Sequence, residues 1–112
     1  MMAEHPDDDA RFVQRADQYM AGLLARLDHF DPDELEADLG MGVLKIAFAD
    51  GRKCIMNRQT AAQQIWLAEG ASAWHFAYDE PRASWLDTKG RGELATILAA
   101  ILTHKLGRQI VL

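Results

Sequence analysis

The chain has 112 residues, 49% of them apolar, which is one domain's worth of chain and excludes general disorder. Its net charge of −5 is uneven: residues 1–38 hold eleven acids and three bases, whereas residues 39–112 hold six acids and nine bases. The front of the chain is therefore unsuited to phosphate backbones and suited to cations, and the single cysteine, Cys54, excludes an internal disulfide and a thiolate zinc cluster.

Residues 1–8 read as a flexible acidic tail ahead of one domain over 9–112. The tail lacks an apolar h-region and is not Arg-rich, so it is neither a secretory signal nor a transit peptide, and no stretch nears the ~20 apolar residues needed to span a bilayer. We expect a reducing, cytoplasmic setting. Asp7, Asp8 and Asp9 suit a helix start. Phe12, Ala16, Tyr19, Met20, Leu23, Leu27 and Phe30 then recur at spacings of three and four, one stripe of an amphipathic helix from Asp9 to Asp28. Asp17 falls off the stripe and should be exposed.

Residues 28–38 hold six carboxylates, Asp28, Asp31, Asp33, Glu34, Glu36 and Asp38, and no Lys or Arg. Such a run costs stability unless a cation meets it. Its conformation is ambiguous. Asp31, Pro32, Glu34 and Gly40 could cap and start a short helix, whereas Leu35, Ala37 and Leu39 alternate with Glu34, Glu36 and Asp38 as in a strand. A hairpin follows directly, so we read a strand, with the three acids on one face.

Val43 to Asn57 reads as a hairpin about Asp50-Gly51. A three-residue loop of Asp50, Gly51 and Arg52 would pair Phe48 with Cys54, Ile46 with Met56 and Lys45 with Asn57, gathering the apolar side chains on one face. Arg58 to Ala62 is a polar turn. Strands follow at Gln64–Ala68, with Trp66 outward, at Ala73–Tyr78, with His75 outward, and at Ser84–Leu86. Leu94, Ile97, Leu98, Ile101, Leu102 and Leu106 form a second amphipathic helix closed by Gly107. Ile110 to Leu112 should lie back on the core. The fold class is α+β: a two-layer sandwich with two helices on one face of an antiparallel sheet of about six strands.

No nucleophile motif, H-E-x-x-H, phosphate loop or dinucleotide fingerprint is present, and no enzyme activity is expected. The acidic run is not an EF-hand, because Leu35 and Glu36 stand where that loop needs a ligand and a glycine. His5, His29, His75 and His104 lie in four separate segments. Carboxylate oxygens alone suit hard cations, Mg²⁺, Ca²⁺, Mn²⁺ or Fe³⁺, bound weakly and with poor selectivity. The outward face with Asn57, Gln64, Trp66 and His75 offers an aromatic anchor for a protein partner. Single-strand RNA platforms also expose aromatics but need basic surroundings.

The segments Asn57-Arg58-Gln59 and Gln64-Ile65-Trp66-Leu67, with Gly42-Val43-Leu44, Trp74-His75-Phe76, Ser84-Trp85 and the acidic run, resemble the frataxin family, in particular its bacterial, CyaY-type members. The resemblance runs from about Phe12 to the end and implies the same α+β sandwich. It implies an iron-binding accessory protein, or iron chaperone, of iron–sulfur cluster assembly. Fe²⁺ and Fe³⁺ would bind weakly on an acidic ridge of Asp28, Asp31, Asp33, Glu34, Glu36 and Asp38. The same ridge would dock the cysteine desulfurase through Asp28, Asp31, Glu34, Glu36 and Asp38. The sheet surface of Asn57, Gln59 and Trp66 would face the assembly complex with its scaffold protein. No nucleic acid or membrane partner is implied, and the chain would be a monomer with iron-dependent oligomers as a further state. Where relatives often carry acids, this chain has Leu24, Ala25 and His29, which thins the ridge for iron. The competing reading is an acidic docking module with no physiological metal. An iron oxidase acting through the ridge is a third.

Overall fold

A computed structural model describes residues 6–112. Pro6, the first described residue, is already helical, so α1 (Pro6–Leu27) starts ahead of the expected Asp9, and only residues 1–5 of the expected tail lie outside the described residues. Six strands follow: β1 (Leu35–Gly40), β2 (Val43–Phe48), β3 (Lys53–Gln59), β4 (Gln64–Glu69), β5 (Ser72–Asp79) and β6 (Ser84–Asp87); α2 (Leu94–Leu106) comes last. The strands form one antiparallel sheet in the order β1-β2-β3-β4-β5-β6, so every connection is a hairpin.

The core lies between the helices and one face of this sheet. Phe12, Ala16, Met20, Leu23 and Leu27, the stripe read from the sequence, are all buried, as are Leu94, Leu98 and Leu102 of α2. The sheet contributes alternate residues, among them Leu44, Ile46, Cys54, Met56, Ile65, Leu67 and Phe76. Both helices cover this face, and among the described residues the opposite face is left open.

The β2–β3 hairpin keeps the expected faces but not the expected register. Ile46 pairs with Cys54, Leu44 with Met56 and Val43 with Asn57, a shift of two residues. The loop is Ala49, Asp50 and Gly51, closed by the Phe48 N–H to the Arg52 carbonyl at 2.9 Å. Gly51, with φ +85°, takes the left-handed position that ends this type of three-residue loop. A shift of two preserves which side chains face the core, so burial patterning alone could not detect it.

Arg58 and Gln59, read as turn residues, belong to β3, and the turn is a single 3-10 turn at Thr60–Ala62. Arg58 lies on the helix side of the sheet, where its Nη1 donates to Asp17 Oδ1 at 2.5 Å. Asp17 is therefore half-buried in an ion pair rather than simply exposed. Gly42 makes room for this pair: a Cβ there would sit 3.0 Å from the Arg58 guanidinium carbon.

At the other end, Asp87 is buried on β6. Its Oδ2 accepts from the Lys89 N–H (3.1 Å), the Arg91 N–H (3.0 Å) and Arg91 Nε (2.8 Å). Arg91 Nη2 reaches the Ala73 carbonyl of β5 at 2.9 Å. These bonds fix the turn into α2, whose first turn is capped by Glu93 accepting from the Thr96 N–H. The Arg91 guanidinium holds the Asp87 carboxyl well below the usual carboxylate range, at about 2. Ile110 is buried, and its N–H donates to Thr103 Oγ1 at 2.9 Å, so the end of the chain does return to the core.

Candidate functional site

The acidic residues gather at the C-terminal end of α1 and along β1. After Leu27 the helix loosens into tight turns: the His29 N–H bonds the Arg26 carbonyl at 3.2 Å and the Phe30 N–H bonds the Leu27 carbonyl at 3.1 Å. Asp31 then caps one isolated turn, with its Oδ1 accepting from the Asp33 N–H at 2.9 Å and its carbonyl from the Glu34 N–H at 2.8 Å. The capping signal in the sequence was therefore real, but it makes a turn and not a helix. The strand begins directly after it.

Glu34 is the residue placed differently from expectation. It precedes β1, and its carboxylate meets Arg108 from beyond α2: Arg108 Nη2 lies 2.8 Å from Oε1 and Nε lies 3.3 Å from Oε2. The Arg108 guanidinium also stands 5.7 Å from the Phe30 ring. Within the run no base was visible, yet the tail of the chain supplies one. Nothing in the local sequence pattern around residue 34 points to residue 108.

Glu36 and Asp38 lie on the open face of β1, both exposed, as the alternation required. Asp38 is directly opposite Lys45, whereas Glu36 is opposite Ala47. Among the described residues, Asp28, Asp33, Glu36 and Asp38 make no side-chain hydrogen bond or ion pair within the protein. Asp28, Glu36 and Asp38 line a cleft of about 480 Å³ with Leu27, Phe30, Leu35, Ala37 and Lys45. Among the described residues, no three His, Cys, Asp or Glu side chains converge closely enough to hold a metal ion. The donor set is all-oxygen and fits a hard cation, but as spaced carboxylates and not as an enclosed site.

On the open sheet face, Asn57, Trp66 and His75 lie side by side on β3, β4 and β5. The Trp66 and His75 rings stack with centroids 4.2 Å apart and planes within 10°. Trp66 Nε1 donates to Gln64 Oε1 at 2.7 Å, and Gln59 Nε2 donates to Asn57 Oδ1 at 2.8 Å. These contacts fix the indole, with the His75 ring covering one of its faces. Ile55 and Ala68 adjoin it on the same face. Cys54, by contrast, is buried on the helix side, and burial pushes its thiol up to about 12; it is a core residue and not a nucleophile.

Residues 5–108 match the Frataxin-like domain. The chain belongs to the frataxin family. It is similar to the iron–sulfur cluster assembly protein CyaY of Thioalkalivibrio sulfidiphilus, with 40% identity over 91% of this chain and 96% of the relative. It is similar also to that of Dechloromonas aromatica, with 41% identity over 94% and 98%. Among solved structures, frataxin from Psychromonas ingrahamii superimposes with a TM-score of 0.82 at 25% identity, covering 92% of this chain and 95% of that one. A trimeric frataxin from the yeast Saccharomyces cerevisiae, complexed with ferrous iron, shares the fold with a TM-score of 0.72 at 21% identity, covering 96% and 92%. The frataxin architecture read from the sequence, two helices on one face of a six-stranded antiparallel sheet, is the architecture observed.

Proposed function

We propose that this protein is an iron-binding accessory protein of iron–sulfur cluster assembly that docks a cysteine desulfurase through its acidic ridge. The observation that carries this reading is the set of exposed carboxylates, Asp28, Asp33, Glu36 and Asp38, unpaired within the described residues and gathered at one end of a frataxin-family domain. Asp31 and Glu34 complete the ridge, but each has structural work: Asp31 caps a turn and Glu34 holds Arg108. Iron is cargo here, bound loosely by oxygen ligands that can release it. The relatives' naming as cluster assembly proteins supports the setting, and the ferrous complex of the yeast protein supports the metal.

Docking needs only the ridge's net charge, whereas metal binding needs geometry as well. The absence of any converging trio of ligands among the described residues favours, as a second reading, a docking module without a physiological metal. On either reading the stacked Trp66 and its neighbours Asn57 and Gln59 provide the second contact, towards the scaffold protein of the same complex.

Titration with Fe²⁺ or Mn²⁺, followed by paramagnetic broadening of backbone amides, tests the metal. Broadening should be strongest between residues 28 and 38. Broadening centred on His75 or His104 would overturn the assignment. Binding of a bacterial desulfurase without such broadening would select the metal-free docking module.

A further inference from the structure

Among the described residues, strand β1 stands at the edge of the sheet, paired with β2 on one side only. Its hairpin fixes which backbone groups are left over. The two loop residues, Met41 and Gly42, have φ of 54° and 78°, the geometry of a type I′ turn. The flanking residues of such a turn, here Gly40 and Val43, exchange both of their backbone hydrogen bonds. Counting back in twos, Asp38 and Glu36 also bond β2, and the Ala49 N–H to Glu34 carbonyl contact at 3.2 Å continues the series. Ala37 and Leu39 therefore aim their N–H and C=O groups away from the sheet. The Leu35 N–H is satisfied by the Asp31 carbonyl at 3.2 Å, but its own carbonyl faces outward with the others.

The cleft of about 480 Å³ opens along this edge, since it is lined from both faces of β1: Leu35 and Ala37 on the helix side, Glu36 and Asp38 on the open side. Leu27 and Phe30 extend its apolar wall, and Asp28 adds a third carboxylate to its rim. A strand laid against β1 would thus meet two different surfaces. Side chains opposite Leu35, Ala37 and Leu39 would enter apolar ground, and those opposite Glu36 and Asp38 would face carboxylates.

We propose that β1 accepts an extended, antiparallel segment of a partner protein whose side chains alternate apolar and basic, as a seventh strand. The charge of the edge chooses this occupant. A second copy of the same strand would set Glu36 and Asp38 against like charges, which is how natural edges avoid self-pairing. A basic segment turns that repulsion into attraction while its backbone takes up the free donors and acceptors. The inference rests on the docking reading above and adds to it a backbone register. A partner held only by charge needs no particular conformation, whereas this one must be extended.

The test uses a seven-residue peptide of alternating lysine and valine, blocked at both ends, added to the full chain. In the antiparallel register the valines bond β1 and the lysine N–H groups point to solvent. N-methylation of the valines should weaken binding about tenfold or more, and N-methylation of the lysines should change it less than about twofold. Hydrogen exchange at the Ala37 and Leu39 amides should slow on binding, while the Glu36 and Asp38 amides, already bonded to β2, should change little. Ala37→Pro gives a second arm, because its N–H faces away from β2 and proline there removes no ladder bond; the variant should fold and fail to bind the peptide. A block-sequence peptide of the same composition binding equally well, or equal sensitivity to methylation at both sets of positions, would overturn strand addition and leave charge-only docking standing. Shifts centred on Trp66 and His75 would overturn it too.

Discussion

Removing the ridge's charges one at a time should separate three acids that look equivalent in the sequence. On β1, Glu36 and Asp38 are two residues apart on one face, about 7 Å. Their repulsion is about 0.6 kcal/mol in water before screening and less than half of that at physiological salt. Asp38 recovers this loss, because Lys45 is directly opposite it at roughly 5.5 Å, an attraction of about 0.8 kcal/mol on the same scale. Glu36 has Ala47 opposite and meets Lys45 only on the diagonal, at about 8 Å, so it recovers less, about 0.5 kcal/mol on the same scale. Glu34 holds Arg108 through two hydrogen bonds and so ties the chain beyond α2 to the start of β1. Glu36→Gln should therefore raise the melting temperature only slightly, by less than about 1 °C at low salt, the shift expected of a net gain of about 0.1 kcal/mol in a domain of this size. Asp38→Asn should leave it nearly unchanged, and Glu34→Gln should lower it.

A uniform gain from neutralising all three, which the sequence alone would suggest, is no longer expected. The triple variant should be no more stable than the wild type. Thermal melts by circular dichroism at about 0.01 M and 0.15 M salt decide the matter, since the screening length falls from about 30 Å to about 8 Å between them. The Glu36→Gln gain should shrink at the higher salt, and added Ca²⁺ should stabilise the wild type more than this variant. If Glu36→Gln is less stable than wild type at low salt, or its gain ignores salt, repulsion along the ridge is not what the charge contributes.

Desulfurase binding should weaken as salt rises, and Trp66→Ala should weaken it further without altering the salt slope, because the ring's contribution is apolar and local; a changed slope would place Trp66 in the charged contact. Asp87→Asn should destabilise the protein at neutral pH by about 1 kcal/mol, less than the full pKa difference implies, because Arg91 is 40% exposed and water screens it. The folded carboxyl is depressed to about 2, so its contribution is complete above about pH 4 and fades as pH falls towards 2. The two melting curves should converge over that window, and curves that stay parallel down to pH 2 would refute the clamp.

The parts of the fold legible in the sequence were those governed by burial. Alternation in Leu35, Ala37 and Leu39 outweighed a good capping signal at Asp31, and the strand formed because the inward side chains pack on the core. The cap survived as a single turn, so both signals were expressed, one after the other. What was illegible depended on partners distant in sequence. Arg58 reads as a turn residue because arginine on an inward strand position is expensive unless paired, and its partner, Asp17, is 41 residues away. Arg108 reads as a tail residue for the same reason, with Glu34 74 residues away. The β2–β3 register failed differently: Asp50-Gly51 marks the turn, but only the left-handed backbone at Gly51 as third loop residue says where the loop begins.

The placement of both helices on one side of the sheet has a consequence for how a partner can be held. Among the described residues it leaves the outer face uncovered and puts the acids at the edge of that same face, with Glu36 and Asp38 on β1 and Trp66 three strands away on β4. Adjacent strands are about 4.8 Å apart, and the row through Asp38 reaches β4 at Ala68, two residues from Trp66, so Asp38 and Trp66 are roughly 16 Å apart. That is beyond a Debye length at physiological salt, so the ring and the carboxylates would act independently on a partner that touched both. On the proposed docking reading, long-range attraction at the edge would set how fast a basic surface arrives, and the stacked ring, which attracts nothing at a distance, would set how long it stays. A protein that had spread its acids over the outer face would have lost this division. On that reading, the edge position would let one surface recruit by charge while the neighbouring surface discriminates by shape.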